Sequence, residues 1–254
     1  MKSAYATKLT RLNGAMAVLH ALQAGLIIVL SVDFLLPITA SYLSFNVTTQ
    51  SLAPASKQLF EVSLPLLIVA FLALSALAHT IIATVYRKRY LQDLERGINR
   101  ARWIEYSLSA SVMMVAISLL VGIYDLASLI MIFGLVAVMN LLGLVMEIHN
   151  QTTKKVGWIS FIVGCIAGII PWIVVGLYFW ASSAYGGGEI PTFVYWIYVS
   201  IFIFFNCFAL NMFLQYKKIG PWRNYLFGET AYIVLSLVAK SALAWQVFAG
   251  TLRP

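Results

Sequence analysis

One amine stands where an amine is expensive. Lys240 is the only charged residue in "YIVLSLVAKSALAWQVFAG", Tyr232 to Gly250. A charged side chain at the centre of a membrane-spanning helix costs about 2.5–3.5 kcal/mol on insertion scales. Three kinds of chemistry could offset that cost: a buried ion pair, a station on an ion pathway, or an amine consumed in a covalent bond. Each needs a partner, and the best-placed carboxylate is Glu105, in "RWIEYSLSASVMMVAISLLVG". With Trp103 and Ala231 taken as the points where the two segments enter the bilayer, Glu105 lies about 3 Å in and Lys240 about 14 Å in. Side chains lean toward the N-terminus of their helix, so the lysine reaches back toward the carboxylate. His20, His79, Ser75 and Ser236 collect in the same half; Ser236 lies one turn before Lys240 on the same face.

Blander roles compete for several of these residues. Serines in membrane helices, Ser75 and Ser109 among them, commonly bond a backbone carbonyl. Arg102, one turn before Glu105, reads as a boundary residue whose head snorkels to the headgroups. Other chemistries find no footing. No helix carries a His-x-x-x-His pair, and Cys165 and Cys207 lack ligand spacing, so a metal site is not expected. Both cysteines lie in apolar runs and read as buried thiols. There is no Gly-x-Ser-x-Gly stretch and hence no hydrolase elbow; no catalytic residues are expected.

The elements that must position these groups are membrane helices. Of 254 residues, 61% are hydrophobic and 10% charged, against about 25% charged in ordinary soluble domains. Mean hydropathy is +0.89. Seven apolar segments of spanning length occur near 12–36, 63–85, 103–124, 126–148, 157–182, 192–215 and 228–250. The basic stretch before the first is followed by a run long enough to span, with no small-residue cleavage site, so no cleavable signal is expected. The chain therefore reads as a single all-α domain over 1–254, a seven-helix bundle.

Charge sets its orientation. Lys2, Lys8, Arg11, Arg87, Lys88, Arg89, Arg96, Arg100, Arg102, Lys154, Lys155, Lys217, Lys218 and Arg223 share the N-terminal side, fourteen of the seventeen basic residues. Positive loops stay in the cytoplasm, which puts the N-terminus inside and the C-terminus outside. The net charge of +8 thus reads as topology and contact with anionic headgroups, not as nucleic-acid binding. The run "YRKRYLQDLERGINRARW" could also dock a cytoplasmic protein partner. Outside, the connection near 37–62 contains "SYLSFNVTTQ", suited to a short β-hairpin. Asn46-Val47-Thr48 matches a glycosylation acceptor, a weak pattern, and "AYGGGEIP" at 184–191 reads as a flexible turn.

A last-helix lysine on a seven-helix plan resembles retinal proteins, and four stretches narrow the likeness: "WIEYSLSASVM" (103–113), "GCIAGIIPWI" (164–173), "FIFFNCFALNMFLQYK" (202–217) and "AYIVLSLVAKSALAWQ" (231–246). With "DFLLPITASYL" at the start of the outer loop, these resemble the heliorhodopsins, a microbial rhodopsin branch of inverted topology, over nearly the whole chain. The resemblance implies retinal, all-trans in the dark, bound to Lys240 as a protonated Schiff base with Glu105 as counterion. It also implies supporting roles for His20, His79, Ser75 and Ser236, and a homodimer helped by the outer loop. For the apolar slot, Met113, Trp172, Phe202 and Phe205 are the candidates, with Trp245 nearby.

Transport is the remaining question. Outward proton pumps place a second carboxylate eleven residues after the counterion; here that position is Ala116. Beyond Lys240 the outer half lacks ionisable relays, so a photosensory receptor without ion transport is expected. A light-driven transporter or channel, a light-dependent regulator of a bound cytoplasmic protein, and a non-photochemical receptor are the alternatives.

Overall fold

Runs of twenty or more apolar residues have one stable outcome in lipid, the helix, because every backbone N–H and C=O must be satisfied within the segment. A computed structural model describes residues 3–187 and 190–254. Lys2, and Gly188 and Glu189 of the expected 184–191 turn, lie outside the described residues. Seven helices there are long and apolar enough to cross a membrane. They are α1 (Ser3–Leu30), α2 (Leu64–Ala83), α4 (Arg100–Leu120), α5 (Leu126–His149), α6 (Ile159–Tyr185), α7 (Thr192–Lys217) and α8 (Tyr225–Val247). A π-helical turn, Phe248–Leu252, extends α8.

Three departures from the sequence expectation have local causes. The first helix ends at Leu30, not near 36, because Leu35 and Leu36 belong to a strand. The hairpin is long: β1 (Leu35–Asn46) pairs antiparallel with β2 (Ser51–Ser63) along nearly the whole connection. Pro37 and Pro54 are tolerated because each strand of a two-stranded ribbon has a free edge. An eighth helix, α3 (Arg87–Glu95), forms within the basic connection. Tyr90, Asp93 and Leu94 are buried on one face of it, while Arg87, Lys88 and Arg89 are exposed.

Caps define the helix starts. Ser63, Asn99, Asp125 and Asn224 each accept a backbone N–H from the first turn of α2, α4, α5 and α8. Asp125 does more. Its carboxylate accepts from Ser128 N at 3.0 Å and from Ser41 N of β1 at 3.1 Å, which ties the hairpin base to α5. Thr39 N also donates to Tyr124 O at 2.9 Å. The hairpin tip is exposed, with Leu43 and Val47 at 67% and 74%.

The most enclosed span is α4, and everything else is arranged around it. Apolar side chains such as Ile28, Ile130, Ile166 and Trp196 face outward, as expected of helices solvated by lipid. Cys165 shares that outward face and is exposed, and Cys207 is half-buried. The expectation of two buried thiols is corrected here: in a bilayer an apolar run is as often a lipid-facing surface as a core. The interior itself divides in two. Beyond Lys240, away from the basic loops, Ile27, Leu64, Ile68, Phe71, Met114, Ile117, Leu243 and Val247 form a dry core. Toward the basic loops the interior is polar.

Candidate functional site

The buried amine has its carboxylate. Lys240 Nζ lies 2.7 Å from Glu105 Oε1 and 3.0 Å from Ser236 Oγ. Ser75 Oγ donates to the same Glu105 oxygen at 2.6 Å. Lys240, Glu105, Ser75 and Ser236 come from α8, α4, α2 and α8, and all are buried. The axial step between the two charged residues is closed by the lysine leaning back along its helix. The Nζ also sits 5.2 Å from the centre of the Tyr106 ring.

His20 and His79 stack alongside, ring centroids 5.7 Å apart and planes within 8°. His79 Nδ1 is 2.8 Å from Asn13 Oδ1. His20 is fully enclosed, and neither ring nitrogen has a hydrogen-bond partner among the described residues. A void of about 20 Å³ touches Asn13, His79, Tyr90, Asn99, Arg102, Glu105 and Tyr106. That is room for about one water among several polar partners.

Arg102 overturns the expectation of a snorkelling boundary residue. It is 5% exposed, paired with Glu147 of α5 and Glu229 of α8. Its guanidinium lies 3.9 Å over the Tyr232 ring and 4.5 Å over the Trp103 ring. Gly143 makes room for this arrangement, since a β-carbon there would overlap the Trp103 ring. Two carboxylates from neighbouring helices hold the head inward, where headgroups cannot compete.

On its other side Lys240 borders a small apolar cavity of about 40 Å³, lined by Ser109, Ala110, Met113, Phe205 and Phe208 among others. Met139, Asn140, Phe205 and Phe208 also line a larger cavity of about 570 Å³ that reaches Gly164, Gly168 and Trp172. At Gly168 a β-carbon would overlap the Met139 sulfur. Trp172 stands edge-on to Phe205 at 5.4 Å and to Phe202 at 5.3 Å. Met113, Phe205 and Trp172 are therefore cavity walls, while Phe202 stands behind Trp172. Trp245 is elsewhere: its Nε1 donates to Gln23 of α1 at 3.0 Å.

Lys240 thus stands between the Glu105 carboxylate and a small apolar cavity that shares part of its lining with a larger one. The heliorhodopsin family matches residues 9–252. This chain belongs to that family. No curated protein matches it. Heliorhodopsins are retinal-binding, light-sensing rhodopsins, and a multi-pass membrane protein with retinal as its chromophore follows from membership and from the seven spans. The residues fit the group: the larger cavity alone falls within the usual range for ligand pockets, about 300–1,000 Å³, and it shares Met139, Asn140, Phe205 and Phe208 with the small cavity that Lys240 borders.

Sequence reasoning missed Asn13, Asn99, Glu147 and Glu229. Asn13 had a signal, a lone amide in the "RLNGAMAVLH" run. Glu147, one residue from the end of its apolar segment, had a weaker one, because that depth is shared with ordinary boundary residues.

Proposed function

We propose that Lys240 carries retinal as a protonated Schiff base, with Glu105 as counterion, in a photosensory receptor that moves no ion across the membrane. The observation that carries this is the 2.7 Å contact between Lys240 Nζ and Glu105 Oε1 at the mouth of the apolar cavity. Bound there, retinal supplies visible absorption and a light-driven isomerisation. A nitrogen that keeps its proton in an apolar interior needs an adjacent anion. Glu105 provides it, and Ser75 and Ser236 hold the carboxylate and nitrogen in register. His20 and His79, with Asn13, line the polar side, where a proton displaced by light can be held. Met113, Phe205 and Trp172 shape the slot, Phe202 buttresses it, and all-trans retinal is the dark isomer.

The absence of transport is supported by asymmetry. The interior beyond Lys240 is an apolar core in which Ala116 is fully buried. Among the described residues, no buried Asp, Glu, His, Lys or Arg lies there for a proton relay to use. Positive-inside loops put the N-terminus in the cytoplasm. The exposed apolar side chains of the hairpin, Leu43, Phe45 and Leu52, support a homodimer joined through it.

Purified protein mixed with all-trans retinal should develop a visible band, and borohydride under illumination should fix a retinyl group on Lys240. A retinal mixture showing only the free-aldehyde spectrum overturns the covalent assignment. Intact cells under steady light should show no pH change; one abolished by a protonophore would establish a pump instead.

A further inference from the structure

Arg102, Glu147 and Glu229 line neither of the two apolar cavities, yet their cluster is built more elaborately than the chromophore pair. Glu147 Oε2 accepts from Trp103 Nε1 at 2.7 Å and from the backbone N of Asn99 at 2.8 Å. Its other oxygen accepts from Arg102 and, at 3.4 Å, from the Tyr225 hydroxyl. Glu229 accepts from Arg102 on one oxygen and from Asn99 Nδ2 on the other at 2.7 Å. Glu147, Glu229 and Arg102 are all at most 5% exposed. Among the described residues, Arg102 is the only cation in ion-pair contact with either carboxylate. The other titratable groups facing them are the phenols of Tyr90, Tyr106, Tyr216, Tyr225 and Tyr232.

The charges do not balance. One guanidinium and two ionised carboxylates would leave a buried negative charge with nothing to pair it, which the interior penalises heavily. Two carboxyls sharing one site resolve this by keeping a proton between them.

The cluster is also mechanically tied to the chromophore pair. Arg102 and Glu105 are one turn apart on α4, and Glu229 lies on the same helix, α8, as Lys240. The water-sized void joins the Glu105 and His79 side to Asn99 and Arg102. Asn99 in turn caps α4, two residues after Gly97, whose φ of 71° closes the basic connection. We propose that Glu147 and Glu229 hold a single shared proton in the dark, and that the cluster is the joint through which light-driven movement of α4 against α8 reaches the basic connection over residues 87–102. This coupling rests on the chromophore assignment above; the dark proton does not.

Infrared spectra of the full chain test both parts. The protein is labelled with ¹³C-glutamate, loaded with all-trans retinal, and its visible band recorded first. In the dark a protonated-carboxyl C=O band should be present and should shift on labelling and in D₂O. Glu229→Gln alone, or Glu147→Gln alone, should remove it completely, because the remaining carboxylate balances Arg102; Glu105→Gln should leave it in place. Illumination should shift the band in the wild type. Should neither variant fold, the labelled wild type still reports the dark proton and its light response. No glutamate-derived carboxyl band, or one that survives both substitutions, overturns the shared proton. A dark band unmoved by light overturns the coupling alone. A sample with no visible band defeats the chromophore assignment, while its dark spectrum still decides the proton.

Discussion

The two halves of the interior are built from the same helices and obey opposite rules. On the basic-loop side of Lys240, the ionisable side chains Lys240, Glu105, His20, His79, Arg102, Glu147 and Glu229 are buried together. On the far side the buried core is made of methyl groups, sulfur and aromatic rings. The polar groups there are serines and amides: Ser118 Oγ bonds a carbonyl of its own helix at 2.8 Å, Ser111 Oγ bonds the Phe133 carbonyl of α5 at 3.0 Å, and Ser200 Oγ bonds the Gln246 side chain at 3.1 Å. A path for protons across the bilayer needs ionisable groups in both halves. A device that converts photon energy into helix movement needs them in one, with a stiff apolar half as its anchor. The difference supports the sensing role proposed above.

The sharpest way to break the comparison is to remove the amine. Lys240→Ala should abolish the visible band entirely when retinal is added, with the bundle still helical by circular dichroism. A normal spectrum in that variant would mean the polar half serves something other than the chromophore. Next in size is the ion cluster. Glu229→Ala removes the acceptors of Arg102 and of Asn99 Nδ2, and each buried donor left without a partner costs about 1–3 kcal/mol. Thermal unfolding in detergent should show it, and Glu229→Gln should lose much less. If the alanine variant melts like the wild type, the cluster is solvated and the polar half is merely wet.

Glu105→Gln is gentler. The amide keeps the shape but removes the charge that localises the positive nitrogen, so the visible band should persist and move to the red. A band that stays in place would mean another anion supplies the counterion.

Much of this was legible in the sequence, and the limits are instructive. Spans, the hairpin and the Lys240–Glu105 pair follow from single-helix properties: length, hydropathy, and the direction in which side chains lean. The Arg102 cluster does not. It is assembled from residues 45 and 127 positions apart, and on its own helix each member looks like a boundary charge. Only helix packing decides whether Arg102 turns out to headgroups or in to Glu147 and Glu229. The same ambiguity misplaced the cysteines. Apolar periodicity cannot distinguish a lipid-facing side from a core-facing one, because both are apolar.

The smallest expected effect tests whether the apolar half really is fixed at its outer rim. There the charge-bearing contact is Asp125, which caps α5 and holds Ser41 of the hairpin. Backbone and hydroxyl donors from Ser128 and the amide of Ser41 hold its carboxyl below the usual range. A carboxyl lowered in the folded state contributes stability that is complete above its unfolded pKa, about 3.9, and that fades as the pH falls through the lowered folded value. Asp125→Ala should therefore cost about 1 kcal/mol near neutral pH, as for other lost caps. The gap from the wild type should narrow as the pH is taken below about 4. Melting curves of both proteins from neutral to acid pH measure this directly. A gap that is constant with pH would assign the contribution to cap geometry and not to charge. No gap at all would mean that the hairpin base is held by the Thr39–Tyr124 backbone bond alone, and that the outer rim is looser than the dry core beneath it.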